Sequence, residues 1–112
     1  MSDETYNGWA NRETWAFYLH LSNDQGLWEW VGETVEGCAA SHRRLWGDVY
    51  PTFLGETLVE LVEDLWEDCE GAEWVRMMRS DVGSVWRIDC REVGDHLVND
   101  FLPELSSAGV EQ

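Results

Sequence analysis

The sequence predicts a small all-α domain, a single helical bundle of four or five helices with a tryptophan-rich core. Three observations predict it. Apolar residues recur at three- and four-residue spacing in successive segments, the period of an amphipathic helix. Good helix caps fall just before those segments, and glycines or a proline fall near their ends. No segment alternates apolar and polar residues for long, "GSVWRI" being the one short exception. A chain of 112 residues suits one domain with one core, and 44% hydrophobic residues are too many for a disordered tail. Eight tryptophans each offer a large area to bury.

The first element follows "YNGWANRETWAFYLHLSND". Asn7-Gly8 is turn chemistry, since both residues tolerate positive φ. Asn11 is a good N-cap, and Glu13 falls in the first turn, where the helix dipole favours a carboxylate. Trp15, Tyr18 and Leu19 then recur at helical spacing, so the helix runs from about Arg12 to Leu21. Trp9, just before the cap, is placed to fold back on the first turn as a hydrophobic staple does. A second helix is capped by Asp24 and runs to about Ala40. Its apolar stripe is Leu27, Val31, Val35 and Cys38, with Glu29, Glu33 and Glu36 opposite. Gly32 and Gly37 each weaken it by about 1 kcal/mol relative to Ala.

Residues 41–52 read as a connector carrying Arg43, Arg44 and Trp46, and Pro51 opens the third helix. That helix has the clearest amphipathic pattern, "PTFLGETLVELVEDLWEDCEG". Leu54, Leu58, Leu61, Val62, Leu65 and Cys69 fall on one side, and Gly71 closes it as a C-terminal cap. "AEWVRMMRS" is a short helix and "DVGSVWR" a loop. "IDCREVGDHLVNDFLPEL" is the last helix, capped by Asp89, with Val93, Leu97 and Phe101 inward and Pro103 ending or kinking it. The helical domain therefore covers residues 1–105, and "SSAGVEQ" at 106–112 reads as a flexible C-terminal tail.

The charge excludes more than it identifies. There are 23 Asp and Glu against 7 basic residues, all Arg, for a net charge of −16. Nucleic-acid affinity is built from phosphate neutralisation by Lys and Arg, so no direct nucleic-acid binding is expected. Anionic membrane surfaces are repelled too, and basic partners are favoured. No apolar run reaches about 18 residues, and the opening "MSDETYNG" is not a signal peptide, so a cytoplasmic chain without membrane contact is expected. Cys38, Cys69 and Cys90, odd in number and widely spaced, read as reduced structural thiols.

"NGW", then "N" and "ETW", followed by "LSNDQGLWEW", resembles the opening of a family of small proteins encoded by phages, plasmids and prokaryotic genomes. Its members commonly read Asn-Gly-Trp, Asn, Glu-Thr-Trp and then an Asn-Asp-x-Gly-Leu-aromatic step. "IDCREVGDHLVND" is similar to the family's closing segment, with Cys90 where Trp is usual and Gly94 where Ala is usual. The resemblance covers about 35 residues at the start and about 15 at the end. The family has no established activity, so the resemblance implies a mobile-element setting and no reaction type.

Two groups of residues are candidates for function. The first is the opening motif, Asn7, Gly8, Trp9, Asn11, Glu13, Thr14 and Trp15. It reads as a folding device, with two indoles clamping the turn and Asn11, Glu13 and Thr14 satisfying backbone N–H groups. The competing reading is an aromatic pocket with polar edges. The second is the acidic face of the third helix. Glu56, Glu60, Glu63, Glu67 and Glu70 form one stripe, widened by Asp64, Asp68 and Glu73. Like charges at i, i+3 and i, i+4 cost a few tenths of a kcal/mol per pair, which asks for a purpose.

Metal and catalytic signals are thin. Cys38 and His42 stand at i, i+4, but paired Cys-x-x-Cys or His-x-x-x-His units are missing, so no metal or other cofactor is expected. Neither Ser41 nor Ser80 lies in a G-x-S-x-G elbow, and no phosphate-binding glycine loop occurs. Catalysis would need a pocket bringing His20 or His96 to a Cys or a carboxylate. The expected function is therefore non-catalytic protein binding. Its most concrete form is a DNA-mimic inhibitor of a host nucleic-acid-binding defence protein, of anti-restriction or anti-CRISPR type, acting through Glu56, Glu60, Glu63, Asp64, Glu67, Asp68 and Glu70. The alternative is a structural or oligomerising module that uses the aromatic N-terminal motif, its acidity reflecting host salt or solubility.

Overall fold

A computed structural model describes residues 8–102. Five α-helices follow one another: α1 (Arg12–Asn23), α2 (Gln25–Trp46), α3 (Pro51–Asp68), α4 (Glu73–Val82) and α5 (Cys90–Phe101). A single 3₁₀ turn at Val85–Arg87 stands where the strand-like "GSVWRI" was read. α1 packs against α2, α4 and α5, while α3 pairs with α2 and, most extensively, with α5. Asn7, Pro103 and the tail at 106–112 lie outside the described residues.

The three polar caps act as their residue types require. Asn11 accepts a hydrogen bond from Thr14 N at 2.8 Å, Asp24 from Leu27 N at 2.9 Å and Asp89 from Glu92 N at 3.1 Å. Each satisfies an N–H that the first helical turn leaves without a partner. α2 runs six residues further than its polarity suggests, so Ser41, His42, Arg43, Arg44, Leu45 and Trp46 are helical. Nothing in that stretch breaks a helix, and two arginines in the last turn suit the negative end of the helix dipole. Gly47 stops it, in the left-handed region at φ 79°, with its N–H donated to Arg43 O at 2.9 Å. Gly71 also has positive φ, but it lies in the turn beyond Cys69, which caps α3.

The core is mainly aliphatic. Leu21, Val31, Val35, Leu54, Leu58 and Val62 are buried together with Val75, Met78, Val93 and Leu97, and with Phe17 and Tyr18. Of the eight tryptophans only Trp66 is buried, and its indole N–H has no partner among the described residues. Trp9, Trp15, Trp28, Trp30 and Trp74 ring the core half-buried, and Trp46 and Trp86 are exposed. The tryptophan-rich core is thus a tryptophan-rich rim, because a bundle this small has little interior wide enough for an indole.

α3 buries Leu54, Gly55, Leu58, Val59, Val62 and Trp66. Leu61, Leu65 and Cys69, expected inward, are half-buried. The covered face turns toward Gly55 because α5 crosses there at backbone contact. A Cβ on Gly55 would stand 2.0 Å from Cys90 O, and one on Gly94 would stand 1.8 Å from Pro51 O. The contact is reciprocal: each helix presents the carbonyl of its first residue to the glycine four residues into the other.

Tyr18 of α1 donates its hydroxyl to Asp100 Oδ2 of α5 at 2.6 Å. Burial, the hydrogen bond to Asp100 and the charge of Asp100 all favour the neutral phenol and push its pKa well above the ordinary value. The unfolded chain loses that proton near pH ~10 while the folded chain keeps it. Stability is therefore full below pH ~10 and falls above it by about 1.4 kcal/mol per pH unit from this group alone. Urea titrations between about pH 9 and 11 should show a shallower alkaline loss for Tyr18→Phe than for the parent.

Candidate functional site

The opening motif is a clasp between the two ends of the chain. Thr14 is fully buried on α1; its hydroxyl donates to Asn11 Oδ1 at 2.7 Å and accepts from Asp89 N at 2.8 Å. Asn11 Nδ2 donates to Arg87 O at 2.8 Å. Glu13 pairs with Arg87 at 3.2 Å, and Glu92 accepts from Ala10 N at 2.9 Å. Trp9 does not staple the first turn of α1. Its ring stacks on His96 of α5, with centroids 3.9 Å apart and planes 20° from parallel, and it touches Tyr18 at 5.2 Å. Trp15 is half-buried against the core, and Gly8 takes φ 88° in the turn before it. "GWANRETW" and "IDCREVGDH" are therefore one structural unit, built from residues about 75 positions apart, as Thr14 and Asp89 are. Pairing across that distance is invisible to local periodicity, although both segments stood out in the sequence.

The acidic face has the opposite character. Glu56, Glu60, Glu63, Asp64, Glu67 and Asp68 project from α3, Glu70 lies in the turn beyond it, and all seven are exposed. None of their side-chain carboxylates makes a hydrogen bond or ion pair with another described residue. Glu67 and Asp68 stand in the last turn of α3, which holds no basic residue. The negative end of the helix dipole opposes them there. Glu56 and Glu60 also reach the start of α5, where, after burial and together with Asp89, they raise the pKa of the Cys90 thiol. Burial raises that of Cys38 as well. All three cysteines are free thiols.

Two clefts border this face. One, between α3 and α4, is lined by Glu63, Trp66, Glu67, Arg79, Gly83 and Val85, with the Arg79 guanidinium 5.6 Å from the Trp66 ring centre. The other runs between α2 and α3, where Glu33 and Thr34 face Thr57. Cys38 and His42 line the same groove one turn apart on α2, with His42 buried and its Nδ1 without a partner. No group of three or more His, Cys, Asp or Glu among the described residues is arranged to hold a metal ion.

His20 pairs with Asp81 Oδ2 at 2.7 Å, beside a small apolar cleft of Leu27, Trp74, Met77 and Met78. The lining of that cleft contains no Ser, Thr, Cys or Lys to serve as a nucleophile. The sequence reading missed a different feature, an exposed aromatic corner where α2 meets α3. Trp46 contacts Phe53 at 5.7 Å and Tyr50 at 6.0 Å, and His42 lies 4.9 Å behind it. The signal was present in "HRRLWGDVYPTF", but reading it as a connector hid its helical register.

No helix among the described residues is long and apolar enough to cross a membrane. No curated protein and no solved structure matches the chain. A family match does exist and ends at Val85, so α5, which the opening motif grips, lies beyond it. Residues 2–85 match the family of unknown function DUF7249, and the chain belongs to that family.

Proposed function

We propose that this protein is a non-catalytic, acidic protein-binding protein that presents DNA-like charge to a basic nucleic-acid-binding protein of a host cell. The observation that carries the reading is the face of α3, where seven exposed carboxylates have no partner among the described residues. Glu56 to Asp68 covers about 18 Å at ~1.5 Å per residue and carries six carboxylates, about one per 3 Å. A single strand of B-DNA carries one charge per about 3.4 Å. Such a face costs the fold stability through like-charge pairs and an opposed helix dipole. A surface maintained against its own folding energy is a candidate for a binding role. With the mobile-element setting that the opening motif brings to mind, the targets that fit are cytoplasmic defence proteins of restriction or CRISPR type.

Less supports the alternative, a binding surface at the aromatic N-terminal motif. Trp9 is taken up by His96, and Thr14 is buried between Asn11 and Asp89.

The test removes charge while keeping shape. Glu60, Glu63 and Glu67 changed together to Gln should abolish capture of a basic partner from host lysate and abolish inhibition of that partner. The same variant should be as stable as the parent or more so, because three like charges leave one helix face. The parent complex should dissociate at modest salt, since charge pairs on exposed surfaces are screened beyond a Debye length of ~8 Å at physiological ionic strength. Capture that survives the triple change, or that resists salt, would remove α3 as the binding face.

A further inference from the structure

We propose that the cleft between α3 and α4 is a socket for one arginine side chain of a basic partner protein. The proposal rests on the binding role of the α3 face and names what that face grips. The cleft holds about 300 Å³, the lower end of the range for small-ligand sites and a fit for a single side chain. Trp66 lines it, is 4% exposed, and has an indole N–H without an acceptor among the described residues. A buried donor left without an acceptor costs about 1–3 kcal/mol, and such groups are rare in native structures. Glu63 and Glu67 line the same cleft one turn apart on α3, exposed and unpaired. Arg79 lies over the Trp66 ring, 5.6 Å from its centre, and forms an ion pair with neither carboxylate.

These groups select the occupant. Two carboxylates against one guanidinium leave the cleft a single negative charge, which one cation neutralises. An anion would meet both carboxylates. A cation alone does not serve Trp66, whose N–H needs an oxygen. An arginine within a polypeptide brings both, a cation at the end of its side chain and a carbonyl on its main chain. Its guanidinium holds five N–H donors in a fixed fork, which suits two carboxylates whose Cβ atoms stand ~5–6 Å apart at i, i+4. A lysine ammonium is a compact point charge without that fork. Gly83 lines the cleft without a side chain, and nothing lies within 4 Å of its Cβ position, so an incoming main chain has room there. Arg79 is the one like charge among the lining residues, so it opposes the incoming cation while Glu63 and Glu67 attract it.

Titration of the nitrogen-15-labelled full chain with acetyl-Gly-Arg-Gly-amide at low salt tests the proposal, read at the indole N–H signals. The Trp66 signal should move farthest and saturate in the millimolar range. Trp66→Phe identifies that signal by its loss; should the variant misfold, through-space contacts within α3 identify it instead. Glu63→Gln and Glu67→Gln change only exposed groups and should each weaken binding about tenfold, the value of one charge-assisted hydrogen bond. Arg79→Gln should tighten it. The lysine peptide should bind more weakly than the arginine peptide. The citrulline peptide, which keeps the carbonyl and loses the charge, should leave the Trp66 signal in place. A Trp66 signal that ignores the arginine peptide, or that follows the citrulline peptide equally, overturns the socket. So does a shift spread evenly over all the indoles, or binding indifferent to both Glu→Gln changes. The charged face is judged separately. A parent that captures a basic partner while its Trp66 signal ignores the peptide loses the socket and keeps the face. A parent that captures nothing loses the face, and the titration still decides whether the cleft takes arginine.

Discussion

Gly94→Ala is expected to cost about 3 kcal/mol or more of folding stability, where the same change in an exposed helix interior gains about 1 kcal/mol. The added Cβ would stand 1.8 Å from the Pro51 carbonyl oxygen and 2.5 Å from its carbon. Both atoms are backbone, so no rotamer change makes room, and α3 and α5 must separate. Their contact is the most extensive helix pairing in the molecule and carries Leu54, Leu58, Val93 and Leu97 with it. Gly55→Ala should behave alike, its Cβ meeting Cys90 O at 2.0 Å. Gly37→Ala on α2 is the control, because nothing lies within 4 Å of its Cβ position and the change should stabilise. Urea denaturation of the three variants checks the ordering. A Gly94→Ala protein as stable as the parent would mean that the helices do not cross at backbone contact.

Thr14→Val is expected to cost about 2–3 kcal/mol although it keeps the volume and branching of the side chain. The hydroxyl it removes is fully buried and serves two partners, Asn11 Oδ1 and Asp89 N. Its loss leaves the part-buried Asp89 N–H without its acceptor and takes a donor from Asn11 Oδ1, a penalty of about 1–3 kcal/mol. Thr14→Ser keeps the hydroxyl and should lose about 1 kcal/mol or less, the value of one buried methyl group. The two variants separate the hydrogen bond from the packing. Hydrogen exchange at the Asp89 amide gives an independent readout, quickening in the Val variant and staying slow in the Ser variant. Equal losses in both would show that Thr14 acts through its methyl group alone.

The pattern of successes and misses in the sequence reading follows from the range of each interaction. Asn11, Asp24 and Asp89 were legible as caps because a cap bonds a backbone N–H three residues away. The seven carboxylates of the acidic face were placed correctly on the outside because helical periodicity alone separates them from Leu54, Leu58 and Val62. The end of α2 was misread because "SHRRLW" is polar, and polarity alone does not tell a loop from a helix terminus that its arginines stabilise. Trp9 was expected on the first turn of α1 and instead stacks on His96, meeting α1 at Tyr18. A local staple and a distant stack look the same in one dimension.

The sequence by itself determined the helices, three of their caps and the negative charge along one side of α3, since each depends on residues within a turn or two of one another. Only the tertiary structure decided what lies across the helices. It set the Thr14 clasp to Asp89, the backbone crossing at Gly55 and Gly94, and the aromatic corner of Trp46, Tyr50 and Phe53. The reason is physical. Periodicity fixes which face of a helix is apolar, but close packing chooses which neighbour covers it, how nearly the backbones approach and which rings are left in water.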